Sequence, residues 1–165
     1  MSGPVSESAN PSAAEAIAEL KAKGLTLATA EATTGGLIGH QLTAIPGSSA
    51  VFVIGIAPYW NEMKVRLGVP EAVLREHGAV SAETAEALAT AVRNWSGADI
   101  GLAETGIAGP GGSAKRPAGL FYIAIADGKN VSSQRFEFKD DRAGNRAACA
   151  EAALRLLVAH VQASG

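Results

Sequence analysis

The chain is poor in residues that staple, span or stack. Cys149 is its single cysteine, so no internal disulfide can form. Aromatics make up only 5% of the residues, which leaves aliphatic and alanine side chains to build the core. No apolar run reaches the roughly 18 residues that a membrane helix needs. No cluster of Lys and Arg marks a nucleic-acid footprint, and the net charge is only −2. Met1 to Asn10 lack the basic start and apolar centre of a secretory leader. Residues 1–11 are therefore read as a loose tail before a single domain over 12–163. No His/Cys group has metal-site spacing, so neither metal nor cofactor is expected. These absences favour a cytoplasmic protein that touches neither nucleic acid nor membrane.

What is present alternates between strands and helices. Ser12 and Glu15 have the spacing of a capping box, and Gly24 is placed to end that first helix. Leu25 to Ala30 is apolar and reads as a buried strand. Thr33-Thr34-Gly35-Gly36 then opens a helix carrying Leu37, Ile38 and Leu42. Pro70 to His77 reads as a short helix with Pro in its first turn. Ser81 caps the next helix, with Leu88, Val92 and Trp95 on its buried face. Ile100 to Thr105 is a further strand. Leu120 to Ala126 and Val131 to Phe138 form a hairpin across Asp127-Gly128-Lys129-Asn130. Asp140 or Asp141 caps the last helix. The expected fold is a three-layer α/β/α sandwich around a mixed central sheet.

Three polar spots could carry chemistry. Glu31 with Thr33, Thr34, Gly35 and Gly36 lies where a strand meets a helix N-terminus, whose free N–H groups suit a phosphate or carboxylate. The same residues also make an ordinary strand-to-helix turn. Thr105-Gly106-Ile107-Ala108-Gly109-Pro110-Gly111-Gly112 is a long Gly-rich loop at a strand end, either functional or a surface connection. It lacks the Gly-Lys-Ser/Thr ending of a P-loop. Gly47-Ser48-Ser49 and Tyr59 to Lys64 supply hydroxyls and one amine. A buried lysine can act as base, because desolvation disfavours the ammonium. By spacing alone, a capping serine and a solvated lysine are the better fit.

In order along the chain, Pro46-Gly47-Ser48-Ser49-Ala50-Val51-Phe52, Tyr59 with Asn61-Glu62 and Lys64, Leu67-Gly68-Val69-Pro70, His77-Gly78-Ala79-Val80-Ser81 and Thr105-Gly106-Ile107-Ala108-Gly109-Pro110 resemble motifs of the CinA C-terminal domain family. The resemblance runs from about Glu31 to Arg146. It implies an α/β/α fold and a metal-free serine/lysine amidohydrolase. The substrate class implied is nicotinamide mononucleotide, whose carboxamide is converted to nicotinate mononucleotide and ammonia. Alternatives are a non-catalytic nucleotide-binding paralog or an amidase for another small amide. Carried over residue by residue, the resemblance puts the nucleophile on Ser49, the base on Lys64 and the orienting tyrosine on Tyr59. Glu31, Thr34, Gly35, Gly36, Thr105, Gly106, Gly109, Gly111, Gly112 and Arg142 are the expected substrate contacts. It also implies the stand-alone form of the family and a homo-oligomer, with a dimer as the simplest case.

Two departures touch the expected site. The family's first loop reads Glu-Ser-Cys/Ser-Thr-Gly-Gly, whereas here Ala32 stands at the first hydroxyl position. Trp60 replaces a small serine after Tyr59. A continuous strand from Ser49 to Tyr59 would hold serine and lysine about 30 Å apart, too far for a dyad. A dyad within one chain therefore requires Ser49 to cap a helical turn through about Val53, with the strand starting after Gly55. Otherwise the dyad forms between two subunits.

Overall fold

A computed structural model describes residues 8–165. Most of the expected N-terminal tail lies outside the described residues. Helix α1 spans Pro11–Lys23. Its cap is Asn10, whose side chain accepts from the N–H groups of Ser12 and Ala13. The Ser12/Glu15 capping box does not form. Pro11 follows Asn10 directly, and its fixed φ and missing N–H suit the first helical position. Ser12 instead donates to Glu151 at 2.6 Å. Gly24, at φ 65°, ends the helix as its spacing implied.

The sheet has five strands in the order β2-β1-β3-β4-β5. They are β1 (Leu27–Glu31), β2 (Phe52–Ile56), β3 (Ile100–Gly106), β4 (Leu120–Ala126) and β5 (Val131–Glu137). β2, β1 and β3 run parallel, while β4 and β5 are antiparallel additions. β1 and β3 are buried along their whole length apart from Gly106, as expected of strands covered on both faces.

Alternation along the strands sends two different surfaces outwards. Leu27, Leu102, Phe121 and Ile123 face α1, α2 (Leu37–Thr43) and α6 (Arg142–Ala163), where Ile17, Leu20, Ile38, Leu42, Leu154 and Leu157 meet them. Ala28, Ala30, Ala103 and Ala124 face the other way, towards α5 (Ala82–Ser96) with Leu88 and Val92. This second face is built of small residues, so α5 lies close upon it. A Cβ at Gly101 would collide with the Ala89 carbonyl. The fold is thus a mixed sheet between two helical layers, as the sequence implied. Trp95 is a difference: it is 59% exposed, so the apolar stripe of α5 stops one turn before the helix does.

Ser81 caps α5 by accepting from Thr84 N–H at 3.1 Å. Asp141 caps α6 by accepting from Gly144 N–H at 2.8 Å. The two short helices α3 (Asn61–Leu67) and α4 (Glu71–His77) connect β2 to α5; Pro70 precedes α4 as its cap rather than its first residue. None of the helices among the described residues is long and apolar enough to cross a membrane.

Candidate active site

Strand order 2-1-3 makes a switch point at β1, because the chain leaves β1 for β2 on one side and returns as β3 on the other. The crevice beyond the carboxyl ends of such strands is where open α/β sheets take ligands. A cleft of about 290 Å³ lies there, walled by Ala32 and Thr33 after β1, Tyr59, Asn61 and Lys64 before and on α3, and Thr105 to Pro110 after β3. Ala79, Val80 and Arg142 complete it.

Lys64 is the most unusual of these side chains. It shares the inward face of α3 with Leu67, and only 3% of it is exposed. Its ammonium donates to the main-chain carbonyl of Tyr59 at 2.8 Å. Burial holds its pKa below the usual lysine value, and the negative charge of Glu104 partly opposes that shift. Arg142 stands at the first turn of α6 and donates to the Gly109 carbonyl at 2.7 Å. No carboxylate is among the cleft's wall residues, so Arg142, joined by Lys64 when it is protonated, makes it an anion-attracting pocket.

The three hydroxyls in the wall differ in their freedom. Thr105 Oγ1 donates to the Ala79 carbonyl at 2.7 Å. Thr33 Oγ1 donates to the Gly106 carbonyl at 3.1 Å and accepts from the Gly106 N–H at 2.9 Å. These bonds tie the loop after β1 to the end of β3. Tyr59 is 62% exposed at the rim.

The first loop does bind carboxylates, but they are the chain's own. Glu104 Oε1 accepts from the N–H groups of Thr33 and Thr34 at 2.7 and 2.8 Å. Glu31 accepts from the N–H groups of Ile38 and Gly39 at 2.7 and 3.0 Å. Glu31 and Thr34 are fully buried and stand outside the cleft. Gly35, Gly36, Gly111 and Gly112 are likewise not in its wall. Those six expected contacts thus lie outside this cleft, and around the first loop the N–H groups of Thr33, Thr34, Ile38 and Gly39 are already taken by the chain's own carboxylates. Arg146 closes the loop from the other side by donating to the carbonyls of Thr33 and Thr34 at 3.1 and 2.7 Å.

Ser49 is a larger correction. Residues Ser48–Ala50 form a single 3-10 turn capped by Gly47, and β2 begins at Phe52 and includes Gly55. Ser49 is exposed beside the amino end of β2, whereas Tyr59 and Lys64 lie beyond its carboxyl end. The five residues of β2 alone separate them by about 15 Å at strand rise. Within one chain, Ser49 and Lys64 form no dyad.

The sequence profile of the CinA C-terminal domain matches residues 9–161. This chain belongs to that family. A CinA-like protein of Geobacter metallireducens is 52% identical over 121 residues, covering 72% of this chain and 29% of the relative. The CinA-like protein of Geobacter sulfurreducens is 49% identical over 142 residues, covering 84% and 34%. The chain thus spans about a third of the length of these curated relatives. Among solved structures, the competence/damage inducible protein CihA from Agrobacterium tumefaciens superposes with a TM-score of 0.86 at 41% identity, covering 90% of this chain and 92% of that one. A CinA superfamily protein from Klebsiella pneumoniae gives 0.90 at 28% identity, covering 94% and 99%.

Family membership sharpens the reading of the wall. Ala32, at the position where the CinA resemblance implied a serine, is a cleft residue and offers only a methyl group. Of the residues expected from the CinA motifs, the cleft gathers Tyr59, Lys64, Thr105, Gly106, Gly109 and Arg142. Thr33, named in the first polar spot of the sequence, is a wall residue, whereas sequence reasoning missed Glu104 as its support. The available signal for Glu104 was one carboxylate inside an otherwise apolar strand.

Proposed function

We propose that the cleft receives a mononucleotide whose base carries a carboxamide, and that it hydrolyses that amide. The observation that carries this reading is Lys64: an amine removed from water, with a depressed pKa, facing a pocket that also presents Arg142. An amine made neutral by burial is a competent base. Arginine suits the phosphate end of the substrate.

The nucleophile in this reading is water. Thr33 and Thr105 both commit their hydroxyl hydrogens to main-chain carbonyls, and Ser49 is at the far end of β2. Neutral Lys64 takes a proton as the water oxygen bonds to the amide carbon. The C–N bond then breaks, and Lys64 returns the proton to the departing nitrogen, giving ammonia and a carboxylic acid, which loses its remaining proton to water or to the ammonia. The N–H of Gly109, in the cleft wall, is the donor assigned to the oxyanion in this reading.

Ala32 favours a second reading, nucleotide binding without efficient turnover, since it removes a hydroxyl from the wall beside Lys64. Ammonia release from nicotinamide mononucleotide, measured beside calorimetric binding, separates the two. Release that is lost in Lys64→Met supports hydrolysis. Binding with no release supports the second reading, and absence of both overturns the choice of ligand.

A further inference from the structure

Glu31 and Glu104 are direct neighbours across the parallel β1–β3 pair, and both are fully buried. One hydroxyl stands between them. Thr34 Oγ1 lies 2.7 Å from Glu31 Oε1 and 2.9 Å from Glu104 Oε1. A threonine has one hydroxyl hydrogen. With both carboxyls ionised, one of these two short contacts holds no hydrogen. A second proton, on either carboxyl, gives each contact its own. The remaining oxygen, Glu104 Oε2, is buried and has no hydrogen-bond partner, which a carboxylate tolerates poorly and a neutral acid tolerates better.

We infer that Glu31, Thr34 and Glu104 hold one proton between them besides the threonine's own hydrogen, and that Glu104 is thereby a positioning residue that anchors the cleft wall and biases the charge on Lys64. Glu104 fixes the loop of Ala32 and Thr33 through its two N–H bonds. Thr33, which it anchors, lines the same cleft as Lys64, and the negative charge of Glu104 favours the Lys64 ammonium. When Glu104 is neutral, the loop stays anchored, and Lys64 loses the anion that favours its protonated form. When Glu104 ionises, its charge shifts Lys64 back towards the protonated form. The pair's first ionisation leaves one negative charge behind the cleft; the second adds another.

The groups facing Glu104 from each packed element support this assignment. From β1 comes the Glu31 carboxylate, which favours a proton on its neighbour. Lys64 comes from α3, and α6 brings Cys149 and, over the outer side of the loop, Arg146. Burial is the main cause that lifts the Glu104 pKa to about 7, against the bonds from Thr33 and Thr34. The Cys149 thiol is pushed well up by burial and by both carboxyls, so it stays protonated and adds no charge. The importance of this proton for turnover rests on Lys64 being the proton-transfer group; the sharing itself does not.

The test is a nuclear magnetic resonance titration of the full chain without ligand, with 13C at glutamate carboxyls and lysine Cε. One buried glutamate carboxyl is expected to titrate near neutrality, and Lys64 Cε is expected to inflect over the same pH range. In Glu104→Gln that inflection should vanish, and the Lys64 midpoint should move down. Two buried carboxyls both ionised by pH 5, or a Lys64 titration indifferent to Glu104, would overturn the inference. The wild-type titration decides the matter even if Glu104→Gln fails to fold. A coupled titration with no ammonia release would sink the hydrolytic reading alone, and release without coupling would sink this one alone.

Discussion

The ammonium of Lys64 donates to the carbonyl of Tyr59, five positions earlier in the chain, at 2.8 Å. That single bond closes the β2–α3 connection over the base and leaves the amine with no bonded counterion. Lys64→Met keeps the length of the side chain and removes the cost of burying an amine. We expect it to raise stability by about 1 kcal/mol and to lower ammonia release by 100-fold or more on the usual scale of general-base loss, ~10²–10⁴. Denaturant unfolding and an ammonia assay check the two halves separately.

Ser49 is exposed at the opposite end of β2 from Lys64. Ser49→Ala should leave turnover unchanged and stability within about 0.5 kcal/mol. A large loss of turnover, with the fold intact, would revive a dyad formed between subunits.

Ala32→Ser restores a hydroxyl to the cleft wall beside an amine able to deprotonate it. Ammonia release is expected to rise by about tenfold or more. Detection of a covalent acyl adduct by mass spectrometry would show that serine, rather than water, then attacks.

Glu104 has a folded pKa of about 7 against an ordinary 4.5. A carboxyl with a raised folded pKa binds its proton more tightly in the native state, so its contribution favours folding at low pH. That contribution is complete below about pH 4.5 and is lost as pH rises through about 7. Its full size is about 3 kcal/mol. The urea midpoint of the wild type, taken relative to Glu104→Gln, should fall between pH 5 and pH 8. A constant difference would contradict the assignment.

Gly119 has φ +90° and leaves no room for a Cβ against the carbonyl of Phe138. Gly119→Ala should cost about 2 kcal/mol or more, because strain and overlap add. Thermal unfolding measures it.

Much of the fold could be read along the chain, for reasons tied to particular residues. The β4–β5 hairpin was legible because the turn residues Asp127 to Asn130 directly follow the apolar run Leu120–Ala126 and lead into a segment of matching length. Ser81 was legible as a cap because it precedes a helical pattern directly, and the last helix's cap was narrowed to Asp140 or Asp141, of which the structure uses Asp141. Asn10 was not, since Ser12 and Glu15 offered the same spacing and only Pro11 distinguishes them. In the site, Lys64 and Thr105 followed from motif positions. Ser49 did not, because a strand's local sequence does not state which of its ends opens on the crevice; the order β2-β1-β3 decides that. Glu104 escaped notice because the N–H groups it serves lie 70 residues earlier.

The cleft wall is drawn from separated stretches: the loop after β1, the β2–α3 connection, residues 79–80, the loop after β3 and the start of α6. No fragment of the chain carries it. Occupancy of the cleft therefore protects the whole domain at once, and a saturating ligand at 100 times its Kd should raise global unfolding free energy by about 2.7 kcal/mol. Thermal-shift screening against phosphorylated small molecules can thus find the physiological ligand before any reaction is known.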